Sequence, residues 1–348
     1  MSDSAGGAQS PEDEKAAHPL DRPADGRAIQ SLYAAGLLSA EARNAAIGML
    51  RPPLAWWRWV SRMSLFLGAA FVLAGIVFFF AYNWAKMGAM LKFGLIEFLL
   101  IASVLGVWYL GVERILGKVV LMGAGVLVGA LLAVYGQTYQ TGADAFELFA
   151  AWSVLILGWV IVSRFAAMWL MWLILVNVSV ILYWEQVLIP NGTATFASKC
   201  VSLGLINSAA LAAREFAVRR GLRWLAGKWF GWVILGAGLT YFSIPTVALI
   251  VDEHHRRFAC ALAAFLLAGG LGTAYWFYRY RSADLFALTL CALSVCVVVL
   301  TLIGRVLFEI VPETPAFLLF ALVVLGVVSA AAFWLRRVGQ AMKEEPGA

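Results

Sequence analysis

Charge is what this sequence has least of. Only 13% of its 348 residues are Asp, Glu, Lys or Arg, about half the share of an ordinary soluble domain. Its hydrophobic fraction is 63%, more than a water-facing surface of this size can hide. Histidine is nearly absent, with three in the chain. The adjacent pair His254-His255 would point about 100° apart on a helix and cannot face one ion there. No H-E-x-x-H occurs, so no metal is expected. None of the four cysteines forms a C-x-x-C pair. Cys291 and Cys296 lie in an apolar run and read as small packing residues. Cys200 and Cys260 fall near one expected surface, which leaves a disulfide between them as the alternative.

Enzyme signatures are missing too. There is no G-x-S-x-G, no phosphate-binding Walker loop and no dinucleotide glycine motif between strand and helix, and no cofactor is expected. The loop Asn83-Trp84-Ala85-Lys86-Met87-Gly88 lacks the acid that many-span lipid-linked glycosyltransferases carry there. Ten-residue segments of alternating polarity are absent, which excludes a membrane β-barrel. No cleaved signal peptide is expected, because the first 62 residues are too polar.

What is present is a series of apolar runs. They fall at about 63–82, 93–112, 119–136, 146–162, 165–183, 196–213, 229–250, 258–278, 284–304 and 316–335. Each is near the length that crosses ~30 Å of hydrocarbon at ~1.5 Å per residue. Backbone amides in hydrocarbon need partners within their own segment, so each run is expected to be a helix. The sixth run is the weakest, diluted by Ser202, Asn207 and Ser208. The fold class is therefore all-α, a polytopic transmembrane helical bundle of about ten spans.

Ahead of the spans, residues 1–26 are polar and without periodicity and read as a disordered leader. Residues 27–53 read as a short cytosolic helical hairpin. Gly36 closes its first helix, Ser39 opens the second with Glu41 in the first turn, and Pro52-Pro53 stop it. The membrane part divides into a first half at 63–185 and a second at 196–335, followed by a cytosolic tail at 336–348.

The net charge of +6 sits in clusters between the runs, the pattern of membrane orientation rather than of nucleic-acid binding. With a cytoplasmic N-terminus, sixteen Lys and Arg from Arg51 onward fall on the inner side. Six fall outside: Lys86, Lys92, Lys199, Arg256, Arg257 and Arg305. Both termini are then cytoplasmic. The inner loop 214–228 carries Arg214, Arg219, Arg220, Arg223 and Lys228 with aromatic residues interleaved. It reads as a topology anchor and as a candidate contact for anionic lipid.

The richest polar stretch is Gly136-Gln137-Thr138-Tyr139-Gln140-Thr141-Gly142-Ala143-Asp144-Ala145-Phe146-Glu147. Its amides, hydroxyls and acids suit an uncharged polar ligand. Its structural reading is a turn at Gly136 and Gly142, followed by a capping box between Asp144 and Glu147. Glu97, about one turn inside the second span, needs a partner or a task. Tyr82, Asn83, Lys86 and Lys92 are the candidate partners. Asn83, Glu97, Gln137, Tyr139, Gln140, Asp144, Glu147 and Glu185 together are the expected lining of an outer-side polar recess. A motif Ala143-Asp144-x-Phe146-x-Leu148 recurs as Ala283-Asp284-x-Phe286-x-Leu288, the spacing an inverted repeat would need.

Three stretches resemble the bacterial membrane family called domain of unknown function 2157. They are Leu32-Tyr33-Ala34-Ala35-Gly36-Leu37-Leu38-Ser39-Ala40-Glu41, then Ala81-Tyr82-Asn83-Trp84 with Lys92, then Gly136 to Asp144 with Leu148, Phe149 and Trp152. The resemblance covers about 28–185 and implies a bacterial inner-membrane protein, with no activity or catalytic residue attached. The expected function is binding and transport, or presentation, of a small polar or lipid-linked ligand. The alternatives are a scaffold or sensor docking a protein partner through its hairpin, and a membrane enzyme acting on lipid or envelope glycan.

Overall fold

A computed structural model describes residues 26–50, 56–251 and 257–344. The expected leader up to residue 25, Pro52, Pro53, His254 and His255 lie outside the described residues. Among those described, the secondary structure is helical, with no strand. The chain divides into two compact units, Met1–Met87 and Gly88–Ala348.

The first unit contains α1 (Gly26–Ala34), α2 (Ala40–Leu50) and α3 (Trp56–Asn83). α1 and α2 pack as the expected hairpin. Gly36 takes φ +72°, and the amides of Gly36 and Leu37 bond back to the carbonyls of Tyr33 and Leu32, each at 3.0 Å. That pair of bonds satisfies the last carbonyls of α1, and it needs a residue free to adopt positive φ. The Ser39 hydroxyl then accepts from the amide of Ala42 at 3.1 Å and opens α2. α3 is 28 residues long, about 42 Å at the helical rise, and contains the first expected span.

The second unit contains α4 (Ala89–Leu110), α5 (Ile115–Tyr139), α6 (Ala145–Ser163), α7 (Ala166–Tyr183), α8 (Phe196–Arg219), α9 (Lys228–Val251), α10 (Arg257–Trp276), α11 (Leu285–Ile310) and α12 (Glu313–Glu344). Nine candidate spans, one on each of these helices, are long and apolar enough to cross a membrane among the described residues. With α3 they account for the ten expected runs. α7 and α10 each continue into one wide π-helical turn, Trp184–Leu188 and Phe277–Arg281. α5 runs three residues beyond its expected end, so Gly136 is helical and not a turn residue. Gln140 and Gly142 make the turn instead, at φ +43° and +65°.

Large apolar side chains face outward throughout this unit: Tyr109 is 89% exposed, Trp108 85% and Phe265 75%. Water would penalise such a surface heavily, whereas acyl chains would not. The helices are then held by close packing and by a few polar contacts. Trp152 of α6 lies flat against Gly129 of α5, where a Cβ would sit 2.4 Å from the indole ring. Its N–H donates to the Gly125 carbonyl at 2.7 Å. Trp172 of α7 repeats the device, donating to the Ser153 carbonyl of α6 at 3.0 Å.

Candidate functional site

Of the eight expected residues, one lies in the first unit and seven in the second. Asn83 ends α3 in the first unit. Glu97 is exposed on α4, and within its own unit no described residue bonds or ion-pairs with it. The other six cluster at helix ends of the second unit. Gln137 and Tyr139 occupy the last turn of α5, where the Tyr139 ring meets those of Tyr135 at 4.8 Å and Phe93 at 6.1 Å. Gln140 caps that helix in the left-handed conformation.

The capping box between Asp144 and Glu147 does not form. The Glu147 amide bonds to the Asp144 backbone carbonyl at 3.1 Å, and the Asp144 carboxylate caps nothing. Both acids are exposed and can be solvated. The next free amide of α6, that of Phe146, is answered from a distance by Gln186 Oε1 at 3.1 Å. Ser179 also donates to the Phe146 carbonyl at 3.2 Å. The π turn after α7 therefore docks on the start of α6. Its Glu185 meets Lys199 of α8, with Nζ 2.6 Å from Oε1. Lys199 is buried, so the ion pair joins α7 to α8 as well as supplying charge.

Sequence reasoning picks out Asn177 and Asn207 as polar residues within their spans but misses how polar groups pair and are buried between α7, α8, α9 and α10. Asn207 Nδ2 donates to Asn177 Oδ1 at 2.7 Å and to the Leu203 carbonyl at 2.8 Å. What read as dilution of the sixth span is an interhelical amide pair. Arg214 read as a surface basic residue, yet it is 8% exposed. Its Nη2 donates to the carbonyls of Leu225 at 3.1 Å and Gly227 at 2.9 Å, and its Nη1 pairs with Glu215. The Tyr278 hydroxyl, on the second π turn, donates to the same Glu215 oxygen at 3.2 Å. Lys228 of the same basic group lies 3.8 Å from Asp284. For the Arg214–Glu215 pair the advance signal is the order Arg-Glu at the end of an apolar run.

Two cavities flank this cluster. One of about 440 Å³ lies between α8, α9 and α10, with Leu211, Leu239 and Leu267 on its wall and Glu215, Arg219 and Tyr278 also lining it. The other, of about 550 Å³, lies between α7, α8 and the turn Arg223–Leu225, and is lined by Trp169, Trp172, Trp224 and Arg214. None of the eight expected residues lines either cavity.

Comparison with known proteins places the first part of the chain. Residues 23–169 match the family described as a predicted membrane protein, DUF2157. The DUF2157 segment takes in the hairpin and the polar stretch before α6 that carried the resemblance. It is somewhat less than half of the chain and ends at Trp169, where the wall of the larger cavity begins. No curated protein and no solved structure matches. The chain is thus a membrane protein of unknown function, with its cavities formed almost entirely downstream of the DUF2157 segment.

Proposed function

We propose that this protein resides in the bacterial inner membrane with both ends cytoplasmic, and binds an amphiphile that it moves or presents. The observation that carries the reading is the 440 Å³ cavity between α8, α9 and α10. Its volume is that of a small-molecule site. Its lining on α8 runs from Ser208 to Arg219, about 16 Å at the helical rise, long enough for an alkyl chain. The wall is mostly apolar, and the ionisable groups Glu215, Arg219 and Tyr278 sit at helix ends. One Glu215 oxygen already accepts from Arg214 and Tyr278, leaving the other for a hydroxyl or amine of the ligand. Gln137, Tyr139, Gln140, Asp144, Glu147 and Glu185 supply amide, hydroxyl and acid groups on the opposite, outer side, where a head group enters or leaves. The excess of Lys and Arg on the inner side supports that sidedness.

A photoreactive monoacylglycerol in proteoliposomes tests this. Crosslinks are expected on peptides containing 211–219 and 273–278. Ala212 is an exposed lining residue, so Ala212→Phe fills the cavity without invading the core. Labelling should fall about tenfold, the effect of ~1.4 kcal/mol of lost binding. Equal labelling of both proteins rules the cavity out as the ligand site.

One observation favours the scaffold reading. The hairpin leaves Leu37 73% and Met49 82% exposed, apolar surface suited to a protein partner. Crosslinking in cells with and without residues 1–51 distinguishes the two. Loss of a partner with amphiphile labelling retained supports the scaffold.

A further inference from the structure

The second cavity is separate from the first. On α8, Ser208, Leu211, Ala212, Glu215 and Arg219 line one cavity, whereas Ile206, Ala210, Ala213, Arg214 and Ala217 line the other. At ~100° per residue these are opposite stripes of the helix. The second stripe is mostly alanine and leaves a furrow beside the indoles of Trp169, Trp172 and Trp224. Ala213 is exposed and Leu222 is 43% exposed, so the furrow opens outward, toward the bilayer.

Among the described residues, two buried side-chain nitrogens have no acceptor: Trp169 Nε1 and Arg214 Nε. Both belong to residues that line this cavity. A buried N–H without an acceptor costs free energy that a native structure normally avoids. The walls offer nothing to satisfy them. The neighbouring Trp172 N–H is itself a donor, bound to the Ser153 carbonyl, and the carbonyls of Leu225 and Gly227 already accept from Arg214 Nη2. The formal charge of Arg214 is balanced by Glu215, so the missing group is an uncharged acceptor. Around the mouth the charge is different. Arg223 is exposed and falls between the lining residues Leu222 and Trp224, with Arg219 and Arg220 just before them.

We propose that this furrow is a binding site for one anionic glycerophospholipid of the inner leaflet. An acyl chain lies along the alanine stripe, the two ester carbonyls of the lipid supply the acceptors that Trp169 Nε1 and Arg214 Nε lack, and the phosphate faces Arg223. This does not depend on the amphiphile reading of the first cavity. It turns a general attraction of loop 214–228 for anionic lipid into a stoichiometric site with a defined acceptor.

Native mass spectrometry of the full chain, released from nanodiscs of phosphatidylglycerol or of phosphatidylcholine, tests it. Wild type is expected to retain one phosphatidylglycerol and to retain phosphatidylcholine poorly. Trp169→Phe keeps the ring and removes the donor, and should lower retention about fivefold, the worth of one net hydrogen bond. Ala210→Phe fills the furrow and should abolish the adduct. Variants are compared only at the gel-filtration volume of wild type. Ala212→Phe, in the other cavity, should leave the adduct unchanged, so this site and the amphiphile site fail independently. Equal retention in wild type and Trp169→Phe overturns the proposal, as does equal retention of the two lipids.

Discussion

Asp144 and Asp284 occupy the same place in a repeated motif and do different work. Asp284 is 5% exposed, and its Oδ1 accepts from the amides of Phe286 and Ala287 at 3.1 and 3.2 Å. Its Oδ2 accepts from Trp232 Nε1 at 3.0 Å. Asp144 is exposed and leaves the equivalent amide, that of Phe146, to Gln186. Asp284→Ala should therefore cost about 2–3 kcal/mol, a lost cap plus stranded donors. Asp144→Ala should stay within about 0.5 kcal/mol. Denaturation in mixed micelles measures both, and equal costs would refute the distinction. The Asn177–Asn207 pair belongs at this scale too. Asn207→Leu removes one bond between α7 and α8 and should cost about 1 kcal/mol, since such bonds in membranes are modest.

Between elements, close approach rather than hydrophobicity holds the helices. α8 and α9 meet at Gly204, where a Cβ would lie 2.5 Å from the Phe242 ring. At Gly238, on the facing helix, a Cβ would meet its nearest neighbour at 3.6 Å, an ordinary contact. Gly204→Ala is expected to destabilise by about 1–3 kcal/mol through overpacking. Gly238→Ala should be neutral or stabilising by up to ~1 kcal/mol, because alanine is the better helix former. Thermal melts in detergent decide it: a loss of stability in Gly238→Ala as large as in Gly204→Ala would mean that general crowding, not the Phe242 contact, sets this interface. The spans themselves were legible because each needs only its own composition to be recognised. Gly36 and Ser39 were legible because their roles are local. Gln186 reaching Phe146 across forty positions, and Arg214 turning inward to two carbonyls, depend on which helices become neighbours. Periodicity does not carry that information, which is why polar residues were expected at exposed helix ends while the buried clusters were overlooked.

For the whole molecule, the question is which face of the membrane each end of the bundle meets. The basic residues support an inner location for 214–228, and the proposed lipid site requires it, since anionic lipid there is to be drawn from the cytoplasmic leaflet. Two of the cations expected on the outer side are engaged within the protein: Lys199 is buried against Glu185, and Arg305 donates to the Ile250 carbonyl. Their contribution to orientation is thereby weakened, which strengthens the imbalance already present in the sequence. Thr141 and Ala226 are both exposed, on the connections before α6 and before α9. With Cys200, Cys260, Cys291 and Cys296 replaced by alanine, single cysteines at these two positions report sidedness directly. In intact spheroplasts a membrane-impermeant maleimide should label Thr141→Cys and spare Ala226→Cys until the membrane is opened. Labelling in the reverse order would invert the bundle, move the basic loop to the outer leaflet and remove the electrostatic basis of the lipid site, while leaving the packing of α7, α8 and α9 as it is.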